Sequence, residues 1–574
     1  MWNEVQWIKI PDMELRDKQI LHGDLGGRFA YFRLEQELPT DARLTARITA
    51  VSRYRLWVND QAVLSGSCKG DLNRQYYETV SLTPYLHAGK NVFAVQVLYN
   101  DPDIARDQTD ERAAIYGVVG AGNCHALAID GDITDAFGRV IGTISTGKAF
   151  WRVWLDHTFY LKSSEYTVYL GATEESVDAR RSPLEWKRLD FDASSWSLAC
   201  ASGPVMPSAL FQSVGLIPRV HLMPREIPLM EETECAFARV IRRKNDLVLD
   251  AGVEVNGYPR FSFNGNAGTE ITVTYLERFG NGADGARIDD MGGTVEGRAD
   301  HIILNGHLVN YEPFWVRTFR FIVVKSSDGK LPEMPAAQVY RKTGYPLSVE
   351  STVDSSTPWV GQLWGICLRT LQNCMLETYM DCPYYEQLQF IMDTRLQMLF
   401  TYAVSRDARL AKKALLDFHC GMRPEGLLPG KTPTAYCQVI STFSLHYVYA
   451  LWEYVEHTGD LALGRCYRTD IDRILDYIPS NLSRLSSCFQ NHMNTLAAET
   501  ASAWYLILNR KRPPKRAVAS YFNMTQFSSH LPRNPDDGNI TGLRWRGCHN
   551  SAASFYSCAA GFPPSLWRAV RKYL

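Results

Sequence analysis

TPWVGQLWGICLRTLQNCMLETYMDCPYYEQLQFIMDTR, residues 357–395, is where the pattern of this chain changes. Upstream, apolar and polar residues alternate with period two. Inside the stretch, Trp359, Leu363, Ile366, Cys367, Leu371 and Cys374 recur at helical spacing. Further helical patterns follow at roughly 387–404, 407–418, 437–458 and 461–479, joined by short connections. A β-rich part followed by a helical part means separate domains rather than alternating βαβ units. Helices in series with short loops imply an array of α-hairpins, either a bundle or a closed α/α barrel.

Working backwards, residues 28–205 carry closely spaced strand patterns: RLTARITAV, YRLWVND, ETVSLTPYL, NVFAVQVLY, HALAID, RVIGTIST, FWRVWLD and YTVYL. Turn signals separate them, among them Asn59-Asp60, Ser65-Gly66 and Ala88-Gly89-Lys90, which points to an antiparallel sandwich. Trp186 and Trp196 are expected to pin a closing loop onto it. NDLVLDAGVEVNGYPRFSFNG, TEITVTYLERF, HIILNGHLVNYEPFW and RTFRFIVV form a second β-rich block that ends at Tyr345-Pro346. The fold class is therefore β plus α: a β-sandwich over 1–205, a second over 206–345, and a helical domain over 346–480.

Residues 481–574 differ in kind. They hold 12 Lys and Arg against 3 Asp and Glu, helical periodicity fades, and Ser, Pro, Gly and Arg cluster. A basic binding tail is one reading. A non-native tail, from a reading-frame shift, is the other and the favoured one, because the segment breaks off a helical domain mid-course.

Bulk properties exclude several classes. The chain has 574 residues, enough for three or four domains, and a net charge of −1, so no general steering toward nucleic acid or membrane is implied. The N-terminus shows no apolar signal-peptide core, and no run of apolar residues is long enough to span a bilayer. The 13 Cys show neither CxxC pairs nor zinc spacing, and reduced thiols in a cytoplasm are expected. No cofactor and no metal is implied; Asp289, Asp290 and Glu296 read as a solvated loop rather than a calcium site. His301 and His307 read as surface or loop histidines rather than ligands. Aromatics reach 12%, a supply suited equally to filling β-sandwich cores and to stacking on sugar faces.

The chemistry concentrates between Asp381 and Asp393. Pro383 suits a first helical turn, so Asp381 or Cys382 is expected to cap a helix that contains Glu386 and Asp393. Seven residues apart, those two would share a helix face, with Tyr384, Tyr385 and Phe390 beside them. Crowded carboxyl groups raise one another's pKa, and glycoside cleavage needs one protonated and one ionised carboxyl. Taken alone, the residues also allow a plainer reading: Asp381 as an N-cap, Glu386 placed for the helix dipole, and Asp393 paired with Arg395.

The segment resembles the signature of the glycoside hydrolase family 78 α-L-rhamnosidases, Asp-Cys-Pro-x-Arg-Glu followed by Trp-x-Gly-Asp. Asp381-Cys382-Pro383, Glu386 and Asp393 match in register. The downstream stretch LAKKALLDFHCGMRPEGLLPGKTP, with Asp417, Gly426 and Pro429, and the two β blocks also look like the family's, so the resemblance covers roughly residues 28–480. It implies a six-hairpin α/α barrel, of which only part is expected in this chain. It implies inverting hydrolysis of terminal α-L-rhamnosides, with Glu386 as general acid and Asp381 and Asp393 holding the sugar. Tyr385 replaces the family's Arg, and Phe390 and Met392 replace its Trp and Gly; Tyr385 and Phe390 are expected to line an altered sugar site. The family's general base is a second Glu whose expected position lies beyond Leu574. The partner implied is a rhamnose-containing carbohydrate, with no nucleic acid and no membrane; a non-catalytic carbohydrate-binding protein is the alternative.

Overall fold

The computed structural model describes residues 2, 4–11, 24–39, 41–70, 74–100, 126–162, 174–205, 222–280, 287–288, 291–354, 357–384, 386–434 and 438–481. Tyr385, the strand expected at YTVYL, Asp289 and Asp290, and the tail beyond Asn481 lie outside them.

Two large sheets carry the β part. The smaller orders Val140–Thr143, Asp132–Thr134, Arg43–Ala50, Leu127–Asp130, Gln6–Lys9 and Cys200–Pro204 as neighbours. The larger runs without interruption from Glu231–Ala236 through Asp246–Phe263, Arg317–Ser326 and Arg298–Ile303 to Glu174–Asp178, and on through Arg152–Lys162, Asp24–Leu38, Gly89–Asn100 and Tyr54–Val58. The step between the two β blocks is a parallel pairing of Glu174–Asp178 with Arg298–Ile303, register Ser176 to His301 and Val177 to Ile302. The blocks thus share one hydrogen-bonded sheet.

This continuity explains a detail of the sequence. In NVFAVQVL, residues 91–98, the apolar run is nearly unbroken rather than alternating. Phe93, Val95 and Val97 enter a core with Leu44, Ile48, Ile129 and Trp151. Val92, Ala94 and Leu98 enter another with Trp186, Leu249, Phe263 and Ile322. Successive side chains point to opposite faces of a strand, and here both faces are covered. Phe29 and Tyr31 against Ala30 and Phe32 repeat the split on the neighbouring strand. Trp186 stacks on Tyr31 at 4.6 Å between ring centroids and lies near Trp196 at 6.2 Å. These rings fill a core, as large β folds require, and are not free for a sugar.

Among the described residues six helices follow: Pro358–Asn373, Ile391–Val404, Arg409–Cys420, Ser441–Thr458, Leu461–Cys466 and Arg468–Asn481. The single helix expected over 461–479 is two, broken at Tyr467. Gly459 ends the fourth helix with φ 77°, a left-handed residue that costs glycine nothing. Asp460 then caps the next, its side chain accepting from the Leu463 amide. The helices share a core of Leu371, Tyr379, Ile391, Met398, Leu415, Phe418, Leu445, Leu451 and Ile471. Tyr76 and Ile227 from the β part join that core, so the helical layer sits directly against the sheets. The described helices are the expected part of a helical domain on a β scaffold, and they put the acidic segment at the boundary between the two.

Candidate active site

The helix expected to hold both Glu386 and Asp393 begins only at Ile391. Residues 381–390 form a folded turn instead. The reason is local. Pro383 removes a backbone donor, and Gln387 sits at φ 55°, a left-handed conformation that no α-helix continues through. The turn is closed by the Asp381 amide donating to the Leu388 carbonyl at 2.9 Å and the Leu388 amide donating to Asp381 Oδ1 at 3.2 Å. The Gln387 amide donates to the Cys382 carbonyl at 2.9 Å. Glu386 and Asp393 therefore do not meet by helical spacing; the turn folds Glu386 back toward Asp381.

The result is a compact acidic group. One donor atom from each of Asp381, Cys382 and Glu386 lies within 4.8 Å of the others. The fold thus crowds the Asp381 and Glu386 carboxyls against each other. Burial and the nearby charges of Glu386 and Asp393 push the Asp381 carboxyl well above the usual range. Asp393 stands in the first turn of its helix, where the helix dipole favours an anion. Burial still dominates there and, with Glu386 nearby, pushes its pKa up to about 7. Its Oδ2 is enclosed and has no hydrogen-bond partner among the described residues. The expected alternative partner, Arg395, is engaged elsewhere: its guanidinium reaches Glu453 at 2.6 Å.

Burial and the adjacent Asp381 and Glu386 hold the Cys382 thiol well above its usual value.

The turn is held from every side. The Tyr384 hydroxyl donates to the Tyr275 carbonyl at 2.7 Å, and the Thr318 hydroxyl donates to the Pro383 carbonyl at 2.8 Å. Gln397 on the following helix donates to the Met380 carbonyl at 2.5 Å. Gln389 donates to Asp417 Oδ2 at 3.3 Å and to the Thr432 carbonyl at 3.0 Å; Asp417 in turn accepts from buried Lys413 at 2.6 Å. Phe390 caps the helix Ile391–Val404, lies edge-on to Phe443 at 6.4 Å and under the Lys431 ammonium at 5.6 Å. Met392 is partly buried against the helical core.

At the other end of the segment, buried Glu377 accepts from both guanidinium nitrogens of Arg53, at 2.5 and 3.2 Å, and has Arg225 at 3.7 Å. Burial opposes its ionised form, but the two arginines outweigh burial and hold its pKa below the usual value. A cavity of about 150 Å³ opens beside the turn, bounded by Arg53, Tyr258, Trp315, Glu377 and Gln387. The three clustered carboxyls do not line it.

Sequence reasoning brings Asp381, Glu386 and Asp393 into one site, but by a helical geometry that the fold does not use. It misses Glu377, Gln387, Lys69 and Trp315. A lone charge in the apolar run CMLETYM is the available sign for Glu377; nothing marks the others.

Two stretches match family models: residues 241–340 match the bacterial α-L-rhamnosidase concanavalin-like domain, and residues 348–500 match the bacterial α-L-rhamnosidase six-hairpin glycosidase domain. These two stretches are similar to bacterial α-L-rhamnosidase domains. The solved structures agree in fold. A GH78 family rhamnosidase from Bacillus sp. GL1 superposes with a TM-score of 0.67 at 15% identity, over 88% of this chain and 75% of that one. An α-L-rhamnosidase from Streptomyces avermitilis, solved with L-rhamnose, gives 0.62 at 18%, over 84% and 48%. One from Dictyoglumus thermophilum gives 0.63 at 15%, over 89% and 60%. No match was found among curated proteins. The chain thus spans about half to three-quarters of the length of these solved relatives.

Proposed function

We propose that this protein hydrolyses terminal α-L-rhamnosides with inversion, using Glu386 as general acid and Asp381 and Asp393 to hold the sugar. The observation that carries the reading is the crowding of the Asp381 and Glu386 carboxyls, whose ligand atoms lie within 4.8 Å of each other, with the charge of Glu386 also reaching Asp393. A general acid must arrive protonated near neutral pH, and crowded, enclosed carboxyls achieve this.

Sugar binding then assigns the proton. A hydroxyl that donates to Asp381 favours its carboxylate form and passes its proton to Glu386. Glu386 gives it to the leaving glycosidic oxygen as the C–O bond breaks, and water adds from the opposite face. The unpartnered Asp393 Oδ2 suits a second sugar hydroxyl, because a buried acceptor without a donor is costly until something supplies one. Phe390, the residue before the helix that carries Asp393, and Tyr385, which lies outside the described residues, are the aromatic residues proposed to line the sugar site. The chain's own general base remains unassigned. No described helix is long and apolar enough to cross a membrane; a cytoplasmic location and a rhamnose-bearing glycan or glycoside as partner belong to this proposal.

The test is hydrolysis of an aryl α-L-rhamnoside by the full chain, beside Glu386→Gln. The expected loss in the variant is about 10²–10⁴-fold. Equal turnover in both proteins removes Glu386 as the acid. Rhamnose binding without turnover in the unaltered protein replaces hydrolysis with carbohydrate binding.

A further inference from the structure

Gln387 follows the proposed acid directly and is one of five described non-glycine residues with positive φ. A left-handed glutamine has an unfavourable backbone and needs outside support. Its polar groups supply that support. The amide donates to Cys382 O at 2.9 Å, and the side-chain nitrogen donates to Pro383 O at 3.0 Å. The side-chain oxygen accepts from the Trp315 indole at 2.7 Å, and the backbone carbonyl accepts from the Lys69 ammonium at 3.3 Å. Two of the four bonds are local, and two come from separate β blocks.

Both outside donors are themselves fixed. The Trp315 amide donates to buried Glu175 at 2.9 Å, as does the Phe314 amide. Glu175 lies on the strand that joins the two β blocks, and Arg317 reaches it at 3.2 Å. The Lys69 amide donates to Glu377, the carboxylate gripped by Arg53. Lys69 and Arg53 both lie near the Trp315 ring, at 5.8 and 5.6 Å from its centroid.

We infer that Gln387 is a positioning residue, locked left-handed by Trp315 and Lys69 so that the turn presses Glu386 against Asp381. The inference rests on reading Glu386 as the acid. It gives the β blocks a part in the chemistry, since they set the separation of the two carboxyls. Once the clamp is released, Gln387 relaxes toward ordinary backbone geometry and Glu386 swings away from Asp381.

The experiment uses the full chain with carboxyl-labelled Asp and Glu, titrated by carbon NMR, with Asp381→Asn and Glu386→Gln for assignment. Trp315→Phe keeps the ring but removes the indole donor; Lys69→Met keeps the stem but removes the ammonium. Each is expected to lower the raised Asp381 midpoint by about one pH unit, toward that of an isolated carboxyl. Tyr345→Phe, which loses a hydroxyl contact to Asp407, controls for general loosening and is expected to leave the midpoint in place. An unmoved midpoint in both clamp variants overturns the inference, and so does an equal shift in Tyr345→Phe. Because the titration needs no substrate, it decides the clamp even if the unaltered protein neither binds nor cleaves a rhamnoside; that result would overturn the proposed function alone.

Discussion

Glu377 and Asp381 stand four residues apart in one segment, and the fold treats them oppositely. Glu377 faces Arg53 and Arg225 and is held ionised. Asp381 faces Glu386 and Asp393 and is held protonated. Burial acts in the same direction on both. What differs is the sign of the neighbours. A buried carboxylate gripped by arginines is a strut, here tying the helical part to residue 53 of the β part. A buried carboxyl crowded by its own kind holds a proton in waiting.

Reversing each partner tests the contrast. The largest effect is expected from Glu386→Asp, which keeps the charge but withdraws the carboxyl by one methylene: turnover of an aryl rhamnoside falls about 100-fold or more. Arg53→Met is next. It leaves Glu377 enclosed with only the longer contact to Arg225 and the Lys69 amide, and about 3 kcal/mol of stability should disappear in chemical denaturation. Intact stability would mean that Arg225 and the Lys69 amide suffice for the carboxylate.

A pH effect of intermediate size follows from Asp393. Its carboxyl titrates at about 7 in the folded protein and at about 3.9 when unfolded. The unfolded chain releases that proton first, so the stabilisation is complete below about pH 4 and is lost as pH rises toward about 7. Asp393→Asn should flatten this part of the stability–pH curve. An unchanged slope would assign the effect to another group. The smallest effect is expected from Tyr345→Phe, which loses only the hydroxyl contact to Asp407, at about 1 kcal/mol.

Much of this is legible in the residues. The change from period two to helical spacing near residue 357 locates the boundary between strands and helices. Asp381-Cys382-Pro383 with Glu386 and Asp393 marks the acidic group. Two readings fail for physical reasons. A helix through Glu386 follows from Pro383 as a helix starter, but proline equally favours a tight turn, and the left-handed Gln387 decides for the turn. An alternating, half-exposed strand over 91–98 gives way to one covered on both faces, which its nearly unbroken apolar run already matches.

Sequence by itself therefore determined which acidic side chains are grouped and which segments are strand or helix, because periodicity and residue type act over a few neighbours. Tertiary structure alone decided how the acids meet. Arg53 and Glu377 are 324 residues apart, and Lys69 and Gln387 are 318 apart. A pKa depends on the charges within a few ångströms, and those distances exist only once the sheets and helices have packed.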